Sequence, residues 1–125
     1  MKNILYQELS YAVVGIMFDV FNCLGSGLKE NIYEKAIAVA FQKKGIQYRR
    51  QVYCPIFYKG EKVAYRFLDF LVENVIVIEL KNKRFFASRD FQQIKDYLKI
   101  TNLKLGILVS FSTDQLKYSR VINIY

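Results

Sequence analysis

The chain has 125 residues, with 19 Lys+Arg against 11 Asp+Glu, a formal net charge of +8, and no His. That length suits one domain over residues 1–125, and 53% apolar residues can build a core, which excludes wholesale disorder. The absence of His excludes Ser-His-Asp and Cys-His catalysis, His-ligated zinc and His-based nucleases, and Cys23 and Cys54 alone, without CxxC spacing, imply free buried thiols in a reducing compartment.

Residues from about Leu9 to Leu24 are apolar on nearly every side, with Asp19 and Asn22 as the polar exceptions. This predicts a helix buried over much of its circumference. The apolar run Tyr11–Phe18 is too short to span a bilayer and is followed by Asp19. With no secretory signal visible, the expectation is a soluble cytoplasmic protein that does not engage a membrane. Gly25-Ser26-Gly27 breaks the helix. A second helix is predicted over about Leu28–Lys44, with a core stripe of Tyr33, Ala36, Ile37, Ala40 and Phe41. Gly45 stands where a helix C-cap belongs, after Lys43 and Lys44 in the last turn.

The period then changes. Gln51–Tyr58 is rich in β-branched and aromatic residues, and its Pro55 argues for an edge strand or a bulge. Lys59-Gly60-Glu61 reads as a turn, Val63–Val72 as a second strand, Glu73-Asn74 as another turn and Val75–Leu80 as a third strand. Val75-Ile76-Val77-Ile78 lacks polar alternation, which suits a central strand covered on both faces. After the basic loop of Lys81, Lys83 and Arg84, a helix is predicted over about Ser88–Ile100, then a strand over Leu103–Phe111. Val121–Tyr125 could add an edge strand. The order α-α-β-β-β-α-β gives an α/β fold, a mixed sheet flanked by helices. Its hairpins are antiparallel, and a right-handed helical crossover joins a parallel pair.

Most of the eleven carboxylates fall in turns or on helix surfaces. Asp69, within Phe67-Leu68-Asp69-Phe70-Leu71, and Glu79, at the end of Val75–Glu79, do not. A buried carboxylate needs a cation nearby. Lys81 follows Glu79 by two residues, so the two project from one face of a strand. A two-residue loop at Glu73-Asn74 would set Asp69 opposite Ile78 and turn Glu79 away. A three- or five-residue loop, or a bulge, sets Asp69 across from Glu79 on the same face. The second register is predicted, because two acids and a lysine then converge. Neighbouring carboxylates suit Mg²⁺ or Mn²⁺, hard cations that prefer oxygen. The competing reading is a Glu79–Lys81 salt bridge with Asp69 capping a turn. Glu30 lies on the stripe that continues into Tyr33 and Ile37, facing inward, or else complements the helix dipole as a first-turn acid. Gln93 and Tyr97 share a helix face, as site residues or as a polar edge with Tyr97 in the core.

Gly27-Leu28-Lys29-Glu30-Asn31-Ile32-Tyr33 spells G-x-x-E-x-x-Y, and is followed by Leu68-Asp69, Glu79-Leu80-Lys81 and Gln93-x-x-x-Tyr97. From about Val13 to Phe111 the chain resembles the GxxExxY protein family, a small-domain branch of the PD-(D/E)XK nuclease superfamily. The resemblance implies a restriction-endonuclease-like α-β-β-β-α-β core, shared with type II restriction enzymes, archaeal junction resolvases and exonucleases carrying Q-x-x-x-Y. It implies Asp69 and Glu79 as metal ligands, with Glu30 as a direct or water-mediated one. It implies Lys81 as the lysine that orients or activates water, and Gln93 and Tyr97 as the pair beside the site. Leu68 stands in place of the proline in the superfamily's name, and Phe21 stands near where many relatives carry a helix His.

The positive charge favours an anionic partner, nucleic acid first and an acidic membrane surface second, or else forms an inert solvated surface. The leading expectation is a Mg²⁺- or Mn²⁺-dependent nuclease acting on DNA. Lys43, Lys44, Arg49, Arg50, Arg66, Lys83, Arg84 and Arg89 would hold the backbone without reading sequence. The alternative is a non-catalytic nucleic-acid-binding or interaction domain on the same fold. Ten Tyr and ten Phe leave room for a homodimer interface.

Overall fold

The computed structural model describes residues 6–112 and 114–123. In chain order the elements are α1 (Gln7–Leu24), α2 (Glu30–Lys44), β1 (Tyr48–Tyr58), β2 (Glu61–Val72), β3 (Ile76–Lys81), α3 (Ser88–Thr101), β4 (Leu105–Ser110) and β5 (Lys117–Ile122). The five strands form one sheet in the order β1-β2-β3-β4-β5. Only β3 and β4 run parallel, joined through α3, and every other neighbouring pair is antiparallel. This is the mixed α/β arrangement expected of a restriction-endonuclease-like core.

Two apolar layers sandwich the sheet. One packs Val13, Met17, Tyr33, Ile37 and Phe41 of α1 and α2 against Phe70, Ile78, Ile107 and Val109. The other packs Ile94, Tyr97 and Leu98 of α3 against Leu68, Val77 and Leu108. Strands β3 and β4 are buried at nearly every position, which explains their unbroken apolar runs. Pro55 lies in β1, which edges the sheet, and a register shift follows at Ile56/Phe57. An edge strand beside such an irregularity is where a proline's missing N–H is tolerated.

Local chemistry sets the turns. Lys59 and Gly60 both have positive φ, 47° and 81°, as a tight two-residue hairpin requires. Gly45 takes the left-handed C-cap conformation and returns its N–H to Gln42 and Phe41. Gly27 also has φ +87°. The Tyr33 hydroxyl donates to the Gly25 carbonyl at 2.6 Å and accepts the Leu28 N–H at 3.2 Å, while its ring stacks on Phe111 at 4.3 Å. The glycine and tyrosine of G-x-x-E-x-x-Y therefore fix the loop that aims the start of α2.

Four expectations change. Helix α1 buries a single stripe, Ser10, Val13, Ile16, Met17 and Val20, because only one side of it meets the sheet layer. On α2, Ala38 is buried while Ala36 and Ala40 are only half-buried. Cys54 is buried as expected, but Cys23 is exposed, since it lies off the α1 stripe. The last strand begins earlier than expected, at Lys117, and residues 124–125 of the expected one lie outside the described residues.

Gly106 on β4 shows how closely α3 lies on the sheet. A Cβ there would stand 2.6 Å from Ile94 Cδ1 and 2.7 Å from Ile94 Cγ1, and Ile94 is fully buried. We expect Gly106→Ala to push α3 outward and cost about 1–3 kcal/mol of stability, read as a lower urea midpoint with an unchanged slope.

Candidate active site

Residues two apart in a regular strand share a face, yet Leu68 packs under α3 while Phe70 packs under α2. Strand β2 thus turns over at Asp69. Its partner does the same. Tyr48 packs on the α2 side, whereas Val52 and Cys54 pack on the α3 side. Between the pairs Arg50↔Phe70 and Val52↔Leu68 stands Gln51, unpaired, with a left-handed φ of 48°. Such a backbone costs a non-glycine residue about 1 kcal/mol and marks a local bulge-like irregularity.

The β2–β3 loop has three residues, Glu73-Asn74-Val75, so Val72 pairs with Ile76 and Phe70 with Ile78. That register brings Asp69 in line with Glu79, as predicted. The ladder stops at Phe70↔Ile78, and carboxylates take over its bonding. The Asp69 N–H donates to Glu79 Oε1 at 3.1 Å, and the Leu80 N–H donates to Asp69 Oδ2 at 2.8 Å. Each acid is held in place by the backbone beside the other.

Glu79 is only 4% exposed. Burial, then the neighbouring Asp69 charge, pushes its pKa up to about 9, against weaker opposition from the Asp69 N–H and the Lys81 charge. Asp69 is also raised, by burial first. The Leu80 N–H works against that rise and the Glu34 charge adds to it. Lys81 does not neutralise the pair by contact. Its Nζ donates to Gln93 Oε1 at 2.6 Å and stands 3.9 Å from Asp90 Oδ1. Among the described residues no ion pair joins Lys81 to Glu79 or Asp69, so the competing salt-bridge reading is not realised. Gln93 Nε2 in turn donates to the Tyr97 hydroxyl at 3.1 Å. Tyr97 is pushed up to about 12, by burial first and by the Glu79 charge second. Lys81, Gln93 and Tyr97 thus form one hydrogen-bonded group under α3, beside Glu79.

Glu30 does not point into the interior as expected. It opens α2 at an exposed position on the rim of a cleft shared with Lys81, Arg66, Arg89, Asp90 and Gln93. There, partial burial and then the Asp69 charge raise its pKa. Among the described residues no three His, Cys, Asp or Glu gather closely enough to hold a metal, so Glu30 is not a ready third ligand. The Asp69–Glu79 pair itself fits a hard divalent cation, because it offers two adjacent oxygen donors whose shared desolvation a positive charge would relieve.

Three residues escaped the sequence reading. Gln51 Nε2 donates both to Asp69 Oδ1 at 3.3 Å and to Glu34 Oε1 at 3.1 Å, tying α2 to the bend in β2. Arg50 pairs with the same Glu34 oxygen at 3.3 Å. Nothing local in the sequence marks Gln51, whose role depends on the strand bend. Asp90 is a second buried acid beside Glu79, 3% exposed, which corrects its expected place on a helix surface. Its carboxylate accepts the Ala87 N–H at 2.7 Å and pairs with Lys83 at 2.8 Å. Burial works to raise its pKa, but these hydrogen bonds with the Lys83 and Lys81 charges outweigh it, and the group lies below its ordinary value. An acid three residues into a predicted helix is the signal that could have found it.

The basic residues divide. Arg66, Lys83 and Arg89 line the cleft, though Lys83 is held by Asp90. Arg49 faces a separate groove with Asn74, Ile100 and Leu103. Lys43 and Lys44 close the helix that Glu30 opens, roughly 20 Å away along its axis. They cannot serve one cleft together.

A family model of the PD-(D/E)XK nuclease superfamily matches residues 7–121. Among solved structures, the crystal structure of SSO0001 is similar in fold, with a TM-score of 0.59 at 19% identity. The match covers 74% of this chain and 49% of that one, so the chain spans about half its length. A search of curated proteins gave no significant match.

The raised carboxyl group sets a pH dependence. Glu79 moves from an ordinary 4.5 to about 9 on folding, so its contribution to stability is fully present below pH 4.5 and is lost as pH rises through 9. Asp69 and Glu30 run the same way. We expect the metal-free protein to lose stability across that window, and Glu79→Gln to flatten the loss and stabilise the fold at neutral pH by ~1–3 kcal/mol. Urea midpoints against pH in EDTA check both.

Proposed function

The chain belongs to the PD-(D/E)XK nuclease superfamily, and from that premise we propose that it is a Mg²⁺- or Mn²⁺-dependent nuclease that hydrolyses phosphodiester bonds of DNA. The observation that carries this reading is the Asp69–Glu79 pair, brought into line at the end of the β2–β3 ladder beside Lys81. No helix among the described residues is long and apolar enough to cross a membrane.

In this reading Asp69 and Glu79 would hold the metal, with Glu30 on the rim of the same cleft as a direct or water-mediated ligand. A bound divalent ion lowers the pKa of water and offsets the negative charge of the phosphate. The chain's own groups do the remainder. The Lys81 ammonium, anchored by Gln93 Oε1, lines the cleft and would place a positive charge beside the attacking water and the phosphoryl oxygens. Gln93, fixed by Tyr97, keeps that ammonium from collapsing onto the two acids. Arg66 and Arg89 on the cleft wall draw in the backbone without selecting bases. No histidine is needed, since carboxylates, lysine and metal together cover proton transfer and charge.

Calorimetry with Mn²⁺ tests the metal site, and cleavage of DNA with Mg²⁺ or Mn²⁺ tests the chemistry. Wild type is expected to bind Mn²⁺ saturably, and Asp69→Asn to abolish both binding and cleavage while keeping its circular dichroism spectrum. Lys81→Met is expected to keep Mn²⁺ affinity and lose roughly 10²–10³-fold in cleavage rate, as the removal of one charge-stabilising donor does elsewhere. Wild-type cleavage by Asp69→Asn would sink the reading. DNA binding with no metal uptake by wild type would favour a binding module on the same fold.

A further inference from the structure

Beyond the bend at Asp69 the β1–β2 hairpin carries an aromatic face that the core does not use. Tyr53, Tyr65 and Phe67 are 48%, 56% and 46% exposed. Their ring centroids are mutually 5.7 Å apart, which makes them one continuous surface. Their strand neighbours Cys54 and Leu68 pack under α3, so this face points to the opposite side of the sheet. Lys62 Nζ stands over two of the rings, 5.8 Å from Tyr53 and 5.5 Å from Tyr65, and donates to the Tyr53 hydroxyl at 3.1 Å. Phe67 precedes Asp69 by two residues, roughly 7 Å along the strand.

We propose that Tyr53, Tyr65 and Phe67 form a stacking platform for the unpaired bases of a DNA strand whose backbone runs on to Asp69 and Glu79. The proposal rests on the nuclease reading of that neighbouring pair, and it names the substrate class as single-stranded or frayed DNA rather than closed duplex. Three observations select this occupant. The rings are clustered and exposed, inclined to one another by 34°, 58° and 82°, so each presents its own face to a base, whereas bases inside a duplex are already stacked. The Lys62 ammonium beside the rings supplies a positive charge for a phosphate. In an interface with a second copy the same charge would need a carboxylate, and the hairpin region 48–72 is itself basic, with five Lys or Arg against two acids. Finally, Phe67 and Asp69 lie two residues apart on β2, and the Asp69 carboxylate is tied through Gln51 to Glu34 of α2, on the side of the sheet that the platform faces.

Fluorescence anisotropy in EDTA tests this without cleavage. The probes are a fluorescein-labelled oligothymidylate and a labelled duplex of equal length. Wild type is expected to bind the single strand more tightly than the duplex. Tyr65→Ala and Phe67→Ala are each expected to weaken single-strand binding roughly ten-fold or more, and Tyr65→Trp to retain it. Both positions are exposed, so the variants should fold, and circular dichroism checks that they do. Equal or tighter duplex binding overturns the proposal, as do alanine variants that bind like wild type. It is also overturned if light scattering shows Tyr65→Ala converting a dimer to a monomer with DNA binding unchanged, which would make the face a contact between copies. The two readings fail separately. Aromatic-dependent binding without any cleavage would keep the platform and remove the nuclease. Cleavage indifferent to the aromatic residues would do the reverse.

Discussion

Two carboxyl groups placed together out of water set the terms for the rest of the structure. Burial raises the proton affinity of both Asp69 and Glu79, and the Asp69 charge raises that of Glu79 further. Such a pair persists only where the surrounding fold holds it. Here the hold is backbone: the N–H groups of Asp69 and Leu80, released where the β2–β3 ladder ends, donate to the two side chains. The acids thereby satisfy the strands whose separation made room for them. The cost falls on the charged form of Glu79, which burial disfavours.

The bend that exposes Asp69 runs across two strands at once. If only β2 turned over, its pairing with β1 would slip by one residue. Because β1 also turns over, at Gln51, the pairs on either side keep the same register. The left-handed backbone of Gln51 is the strained point of this arrangement, and its side chain offsets the strain by bridging Glu34 and Asp69. Helix α2 is thus coupled to the acid pair through one amide, while Tyr33 fixes the loop that aims Glu30 at the same cleft.

On the other side, α3 lies close because Gly106 gives it no Cβ to clear. This proximity lets Gln93 and Tyr97 reach down to Lys81 and the vicinity of Glu79. Asp90 anchors the start of the helix by accepting the Ala87 N–H and pairing with Lys83. One acid therefore serves the fold, although by burial alone it resembles Glu79. What separates them is their partners, since Asp90 meets a lysine directly and Asp69 and Glu79 meet mainly each other.

The sequence by itself determined a great deal. Its periods located every element, with bounds missed most at the starts of β1 and the last strand, and the unbroken apolar runs of β3 and β4 declared their central place. Pro55 marked the sheet edge, and the wish to bring Asp69, Glu79 and Lys81 together selected the correct β2–β3 register. These are properties of short segments, set by side-chain spacing and backbone preference, so one chain suffices to read them. Tertiary structure alone decided the rest. It left Glu30 on the rim, turned Lys81 toward Gln93, buried Asp90 and recruited Gln51. Each outcome depends on distances between segments remote in sequence and on a bend at which the two-residue alternation of a strand fails. Periodicity carries no information about where that failure falls.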